Sequence, residues 1–234
     1  MSGPLTSSDD VLKKLRVVLA PHGVFLRGVV NFASGAKAPV LKDGQAAASI
    51  VLLGNIGSSI WPAFEHWRGV PGNKGARNPL DSWSKAVIEP VARDFGATAY
   101  FPSDPPWQPF QQWAMHAEDL QPSPFGILIH PEYGLWHGYR GALGFGRALT
   151  ATPPAPHAHP CDTCSDRPCL SGCPADAVLV SGFQITPCRA HLKTADGKIN
   201  CLIAGCLARN LCPVGTDYRY QSEQLRFHMA ALSL

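Results

Sequence analysis

All eight cysteines of this 234-residue chain lie between positions 161 and 212, and the first 160 residues contain none. The first set reads Cys161-Asp-Thr-Cys164-Ser-Asp-Arg-Pro-Cys169-Leu-Ser-Gly-Cys173-Pro174, and the second is Cys188, Cys201, Cys206 and Cys212-Pro213. Four thiolates at tetrahedral corners can hold an iron–sulfur cubane or a zinc ion. Paired zinc knuckles usually repeat Cys-x₂-Cys twice and give no reason for a proline after the fourth and eighth cysteines. Iron–sulfur ligation is therefore the favoured reading, with two Cys₄ zinc sites as the alternative. The segregation of the thiols also implies two modules.

The cysteine pattern resembles bacterial-type double-cluster ferredoxins, whose proline-flanked fourth cysteine crosses to the other cluster. That resemblance implies two [4Fe–4S] clusters, one on Cys161, Cys164, Cys169 and Cys212, the other on Cys173, Cys188, Cys201 and Cys206. Cys173-Pro-Ala-Asp-Ala-Val178 matches the turn and helix start that follow the first set in those proteins. The spacing departs from the ferredoxin pattern in three places: four residues rather than two separate Cys164 from Cys169, twelve separate Cys188 from Cys201, and five rather than three separate Cys206 from Cys212. The likeness covers the stretch from Cys161 to Pro213.

A second constellation precedes the cysteines: His130-Pro-Glu-Tyr133-Gly-Leu-Trp136-His-Gly-Tyr139-Arg140-Gly141. Tyr133, Trp136 and Tyr139 offer flat faces to a planar cofactor, and Arg140 a charged fork for a carboxylate, phosphate or amide. The pattern His-Pro-x-[Phe/Tyr]-Gly-x-Trp followed by Arg-Gly is similar to a segment of the cytosolic cobalamin-processing (decyanating) chaperone family, whose fold is nitroreductase-like. By motif position that resemblance implies a corrinoid pocket shaped by His130, Pro131, Tyr133, Trp136, Arg140 and Gly141. The residues alone equally allow Trp136 and Tyr139 as core and Arg140 as a structural ion pair. The domain order is like that of epoxyqueuosine reductase, which sets a cobalamin-binding domain before a double-cluster ferredoxin module. No tRNA-binding extension or basic face accompanies it here.

Two weaker signals remain. Leu53-Gly-Asn-Ile-Gly-Ser-Ser-Ile-Trp-Pro62 could present backbone N–H groups to a phosphate, but it lacks the Gly-x-Gly-x-x-Gly spacing and reads best as a tight turn. His116, Glu118 and Asp119 could supply a proton donor, or simply form a solvated helix end. His157 and His159 read as linker residues, and His191 is not needed as a ligand.

These residues must be positioned by ordinary elements. Ser7 and Ser8 ahead of Asp9 and Asp10, then Val11, Leu12, Leu15, Val18 and Leu19, predict a surface helix that Pro21 and Gly23 stop. Val24–Phe32 and Ser49–Leu53 read as buried strands, with a loop around Gly35 to Gly44 between them. A helix follows with Trp61, Phe64 and Trp67, and another from Asp81 to Phe95, kinked by Pro90 and closed by Gly96. Thr98–Phe101 is a strand, Pro102–Pro109 a loop, Phe110–Leu120 a short helix and Gly126–Ile129 a strand. The expected class is α+β: a nitroreductase-like cobalamin-binding domain over 1–149, a proline-rich linker over 150–160, and a ferredoxin-like double-cluster domain with a C-terminal helix over 161–234.

A net charge of +3 without any Lys/Arg block excludes an argument for nucleic acid. The start, Met1 to Asp10, is polar and acidic, unlike a secretory signal, and the apolar stretch Ser49–Ile60 is broken far short of the roughly 20 residues of a membrane span. A cytoplasmic setting without a membrane partner is expected, where thiols bind metal more readily than they form disulfides. The expectation is an iron–sulfur, corrinoid-linked oxidoreductase that receives electrons from a redox partner protein. The alternatives are a ferredoxin-like carrier or adaptor with no second cofactor, and a flavin (FMN) reductase. The residues name no substrate and no catalytic group.

Overall fold

The computed structural model describes residues 7–232, so the reading of the extreme N-terminus lies largely outside the described residues. The chain divides into two compact units, residues 1–119 with 138–155, and residues 120–137 with 156–234. The second boundary falls inside the expected linker. At the first, residues 120–137, which the sequence reading set in the N-terminal domain, group with the cysteine-bearing residues.

In the first unit α1 (Ser8–Leu19) starts where Ser7 Oγ accepts the amide of Asp10 at 3.1 Å. Asp9 and Asp10 favour the positive end of the helix dipole. Its buried face is Val11, Leu12, Leu15 and Leu19, while Val18 stays exposed. β1 (Phe25–Asn31) and β2 (Ser49–Ile56) pair antiparallel, followed by α2 (Trp61–Gly69), α3 (Pro79–Asp94), β3 (Thr98–Tyr100) and α4 (Phe110–Glu118). Pro90 lies inside α3, and Gly96 closes it with a φ of 61°.

The chain then leaves this unit for the short β4 (Gln121–Pro122) and β5 (Leu128–Ile129), and returns as β6 (His137–Phe145). The sheet order is β1-β2-β6-β3. β2 is central and nearly wholly buried, which explains its unbroken apolar run rather than an alternating one. Gly54 lets β2 approach β6, because a Cβ there would stand 2.2 Å from the Gly138 carbonyl oxygen. Strands, helices and packed aromatics such as Trp83 and Phe64 make an α+β layer around one apolar core.

The second unit is built differently. After β4 and β5 come α5 (Pro168–Ser171), the two-residue strands β7 (Val178–Leu179) and β8 (Gly182–Phe183), and the short helices α6 (Ile185–Leu192), α7 (Ala195–Ile199), α8 (Cys201–Ala204) and α9 (Leu207–Asn210). α10 (Ser222–Ala230) is the expected C-terminal helix and packs on α8. Among the described residues no helix is long and apolar enough to cross a membrane.

Candidate functional site

Most of the cysteines sit in or at the ends of the shortest helices or in the turns between them, and Cys188 lies within α6. None forms a disulfide. Cys161, Cys164, Cys169 and Cys212 line one cavity of about 390 Å³, with Pro160, Pro168 and Pro213 in its walls. Burial, then the neighbouring Cys212, Cys169 and Cys164, pushes the Cys161 thiol up to about 11. Burial raises Cys188 to about 11 as well, and the neighbours that add to it are Cys206, Cys173 and Cys201. Cys161, Cys164, Cys169 and Cys212 thus lie near one another, and Cys173, Cys201 and Cys206 lie near Cys188.

Backbone N–H groups point at several of these sulfurs. Ala177 N donates to Cys173 Sγ at 3.3 Å, and the amides of Leu207, Arg209 and Val214 reach Cys201, Cys206 and Cys212. Such donors favour thiolate and tune whatever it ligates. Among the described residues no three His, Cys, Asp or Glu side chains converge tightly enough for a single metal ion. His159 faces Asp162 at 3.8 Å and His191 faces Asp196 at 3.7 Å, neither as part of a thiol foursome.

The residues of the His130–Gly141 constellation are divided between the two units. His130, Pro131, Tyr133 and Trp136 belong to the second unit, Arg140 and Gly141 to the first. His130 Nδ1 accepts the amides of Glu132 and Tyr133 and its ring stacks on Tyr133 at 4.0 Å, while Pro131 is exposed. This closes a turn in which Gly134, at a φ of 57°, passes so near Val214 that any Cβ would collide with its carbonyl. Trp136 is wholly buried, edge-on to Tyr220 and beneath the Arg209 guanidinium. It is a core residue of the second unit. Arg140 is half-buried on β6, and Gly141 is buried where a Cβ would press on Ile88 and the Tyr100 carbonyl.

The first unit holds a cavity of about 1100 Å³ that motif reasoning missed. Phe32, Tyr100, Trp107, Trp113, Lys42 and His116 are among its walls. Tyr100 donates its hydroxyl to the Val40 carbonyl at 2.8 Å, meets Trp113 edge-on, and is raised to about 12 mainly by burial. The available signal was Trp107, a large aromatic in a loop of prolines, which is 76% exposed at this wall.

Glu118 is no solvated helix end. A bulge between Leu26 and Val29 of β1 brings Arg27 inside, where its Nε meets Glu118 Oε1 at 2.8 Å and the Tyr139 hydroxyl donates to Glu118 Oε2 at 2.5 Å. Burial raises the Glu118 carboxyl above its ordinary range, against the pull of Arg27 and Tyr139. Burial and the adjacent carboxylate raise Tyr139 too. This network can hold a proton inside the unit. His116 is exposed on the cavity wall, and Asp119 ends α4 at a φ of 54°. The Gly54–Ser59 segment is the plain turn, with Asn55 Nδ2 donating to the Gly57 carbonyl and Ser59 Oγ to that of Gly23.

The chain is similar to the crystal structure of a C. elegans B12-trafficking protein, CblC, a human MMACHC homologue, with a TM-score of 0.53 over 95% of this chain and 91% of that one. The likeness is one of fold. Identity is only 14%, no protein-family profile matches the chain, and no curated protein matches it in sequence. The match extends through the cysteine-bearing unit as well as the sheet-bearing one.

Proposed function

We propose that this chain is a redox protein in which two [4Fe–4S] clusters, held by the eight cysteines, deliver single electrons to a corrinoid bound by the first unit. The observation that carries this reading is the clustering of Cys161, Cys164, Cys169 and Cys212 around one cavity, with Cys173, Cys201 and Cys206 near Cys188, in keeping with the crossing expected from the two Cys-Pro positions. The chemistry of the donor set fits: eight free thiols, with amides aimed at several of their sulfurs. A [4Fe–4S] cluster supplies one-electron transfer at low potential, which the reduction of corrinoid cobalt requires.

The corrinoid part is supported by the fold shared with a B12-trafficking protein and by the first unit's cavity, at the large end of ligand sites and walled by Tyr100, Trp107 and Trp113. Of the six motif residues, Arg140 and Gly141 stay with that unit, and Gly141 permits the close approach of the Tyr100 backbone. The aromatic walls would orient a flat macrocycle and exclude water from it. The cysteines would hold the clusters, and a separate redox protein would supply them with electrons.

The test is anaerobic reconstitution with iron and sulfide, followed by addition of cob(II)alamin or, separately, FMN. A shifted cob(II)alamin spectrum, weakened about tenfold or more in Trp107→Ala or Trp113→Ala, is expected. Iron-loaded protein that binds neither compound would leave an electron carrier. Binding of FMN alone would replace the corrinoid.

A further inference from the structure

Arg209 lies on the single turn of α9, between Cys206 of one foursome and Cys212 of the other. Its guanidinium carbon stands 4.3 Å from the Trp136 ring centroid and 5.0 Å from that of Tyr220, and Nη2 donates to the Leu135 carbonyl. Leu135 in turn packs on Cys212. Trp136 is fully buried, so the cation is pinned on a desolvated ring face. Among the described residues no carboxylate pairs with Arg209, and its Nε is buried without a hydrogen-bond partner.

A partly buried cation without a counter-anion is costly unless negative charge nearby compensates it. The compensation at hand is the two thiols that flank it: Cys206 caps the same turn, and the Arg209 carbonyl accepts the Cys212 amide at 3.1 Å. Arg189, by contrast, adjoins only Cys188 in the sequence. We propose that Arg209 is a positioning residue shared by the two cluster sites, a fixed cation that sets both reduction potentials together.

This rests on the iron–sulfur reading. Each cluster takes one electron from an external reductant, a low-potential mediator poised with dithionite, which is itself oxidised by one electron. No bond or proton is required. The cluster gains one negative charge, and a fixed cation beside it favours that reduced state. Without Arg209 both clusters become harder to reduce.

The experiment is an EPR-monitored redox titration of the reconstituted full chain, with iron and sulfide assayed on each sample. Arg209→Gln is expected to move both midpoints to more negative values, Arg189→Gln only that of the Cys188 cluster, and Arg209→Lys to stay nearer the parent than Arg209→Gln. Arg209→Met keeps the stem packed on the two rings and gives the same reading should the glutamine variant not retain iron. An iron-replete, charge-free variant that shifts neither midpoint, or only one, would overturn the proposal. Equal shifts in the lysine and glutamine variants would also overturn it, by showing packing rather than charge. A parent protein that takes up no iron and sulfide refutes the iron–sulfur reading instead, and is told apart by the assay itself.

Discussion

In the first unit Trp83, Phe64, Ile50, Leu52 and Ile88 are wholly buried, and the longest helix, α3, runs for 16 residues. In the second unit the sheets are two-residue ladders, and α10, the longest helix, has 9 residues. Its apolar cluster of Ile129, Leu135 and Cys212 includes a thiol. The first unit therefore closes on a conventional core with room left for a ligand. Helices of one or two turns cannot hold themselves in water, so on the proposed reading the second unit depends on what its thiols bind, where the first depends on packing.

The contrast breaks most decisively under chelation. Stripping iron anaerobically should abolish hydrogen-exchange protection in α6, α8 and α10 by orders of magnitude while β1 and β2 stay protected, because binding and folding are one event at such sites. Equal loss in both units would show that the first also depends on the metal. Next in size, Trp83→Ala should cost about 3–5 kcal/mol in denaturant unfolding of the first unit and leave the iron content of folded protein unchanged.

Two glycine substitutions sharpen the comparison at the level of single contacts. Gly54→Ala drives a Cβ into the Gly138 carbonyl and should cost the first unit about 1–3 kcal/mol. Gly134→Ala meets the Val214 carbonyl beside Cys212 at an unfavourable φ, so its expected signature is faster iron loss rather than a lower first-unit melting point. The smallest effect concerns pH. The folded value of Glu118 is raised, so the folded state binds more protons than the unfolded one between the ordinary carboxylate range and that higher value. First-unit stability should then fall as pH rises through this window, and Glu118→Gln should flatten the slope in urea melts at a series of pH values.

Much of the first unit was legible because its signals are local. Ser7 and the Val11, Leu12, Leu15, Leu19 stripe mark α1, and the apolar run of Ser49–Leu53 marks the central strand. The expected grouping of the cysteines rests on another kind of signal, the prolines after Cys173 and Cys212, which in double-cluster ferredoxins flag the members that cross. The grouping of residues 120–137 with the cysteines was not legible, because nothing local tells where a turn will dock. Gly134 against Val214 and Leu135 against Cys212 are contacts between residues far apart in sequence. The same blindness split the His130–Gly141 motif, made Trp136 a core residue, hid the partnership of Arg27 with Glu118, and left the aromatic walls of the large cavity unread until Pro102–Pro109 was folded beside Tyr100 and Trp113.

Iron and acid-labile sulfide, assayed on protein purified without oxygen and paired with an EPR spectrum after reduction, test the ligation directly. About eight iron and eight sulfide per chain, as two [4Fe–4S] clusters require, with the signals of reduced cubanes, is the expected result. Stoichiometric zinc, or eight titratable thiols with no inorganic sulfide after reconstitution, would contradict it.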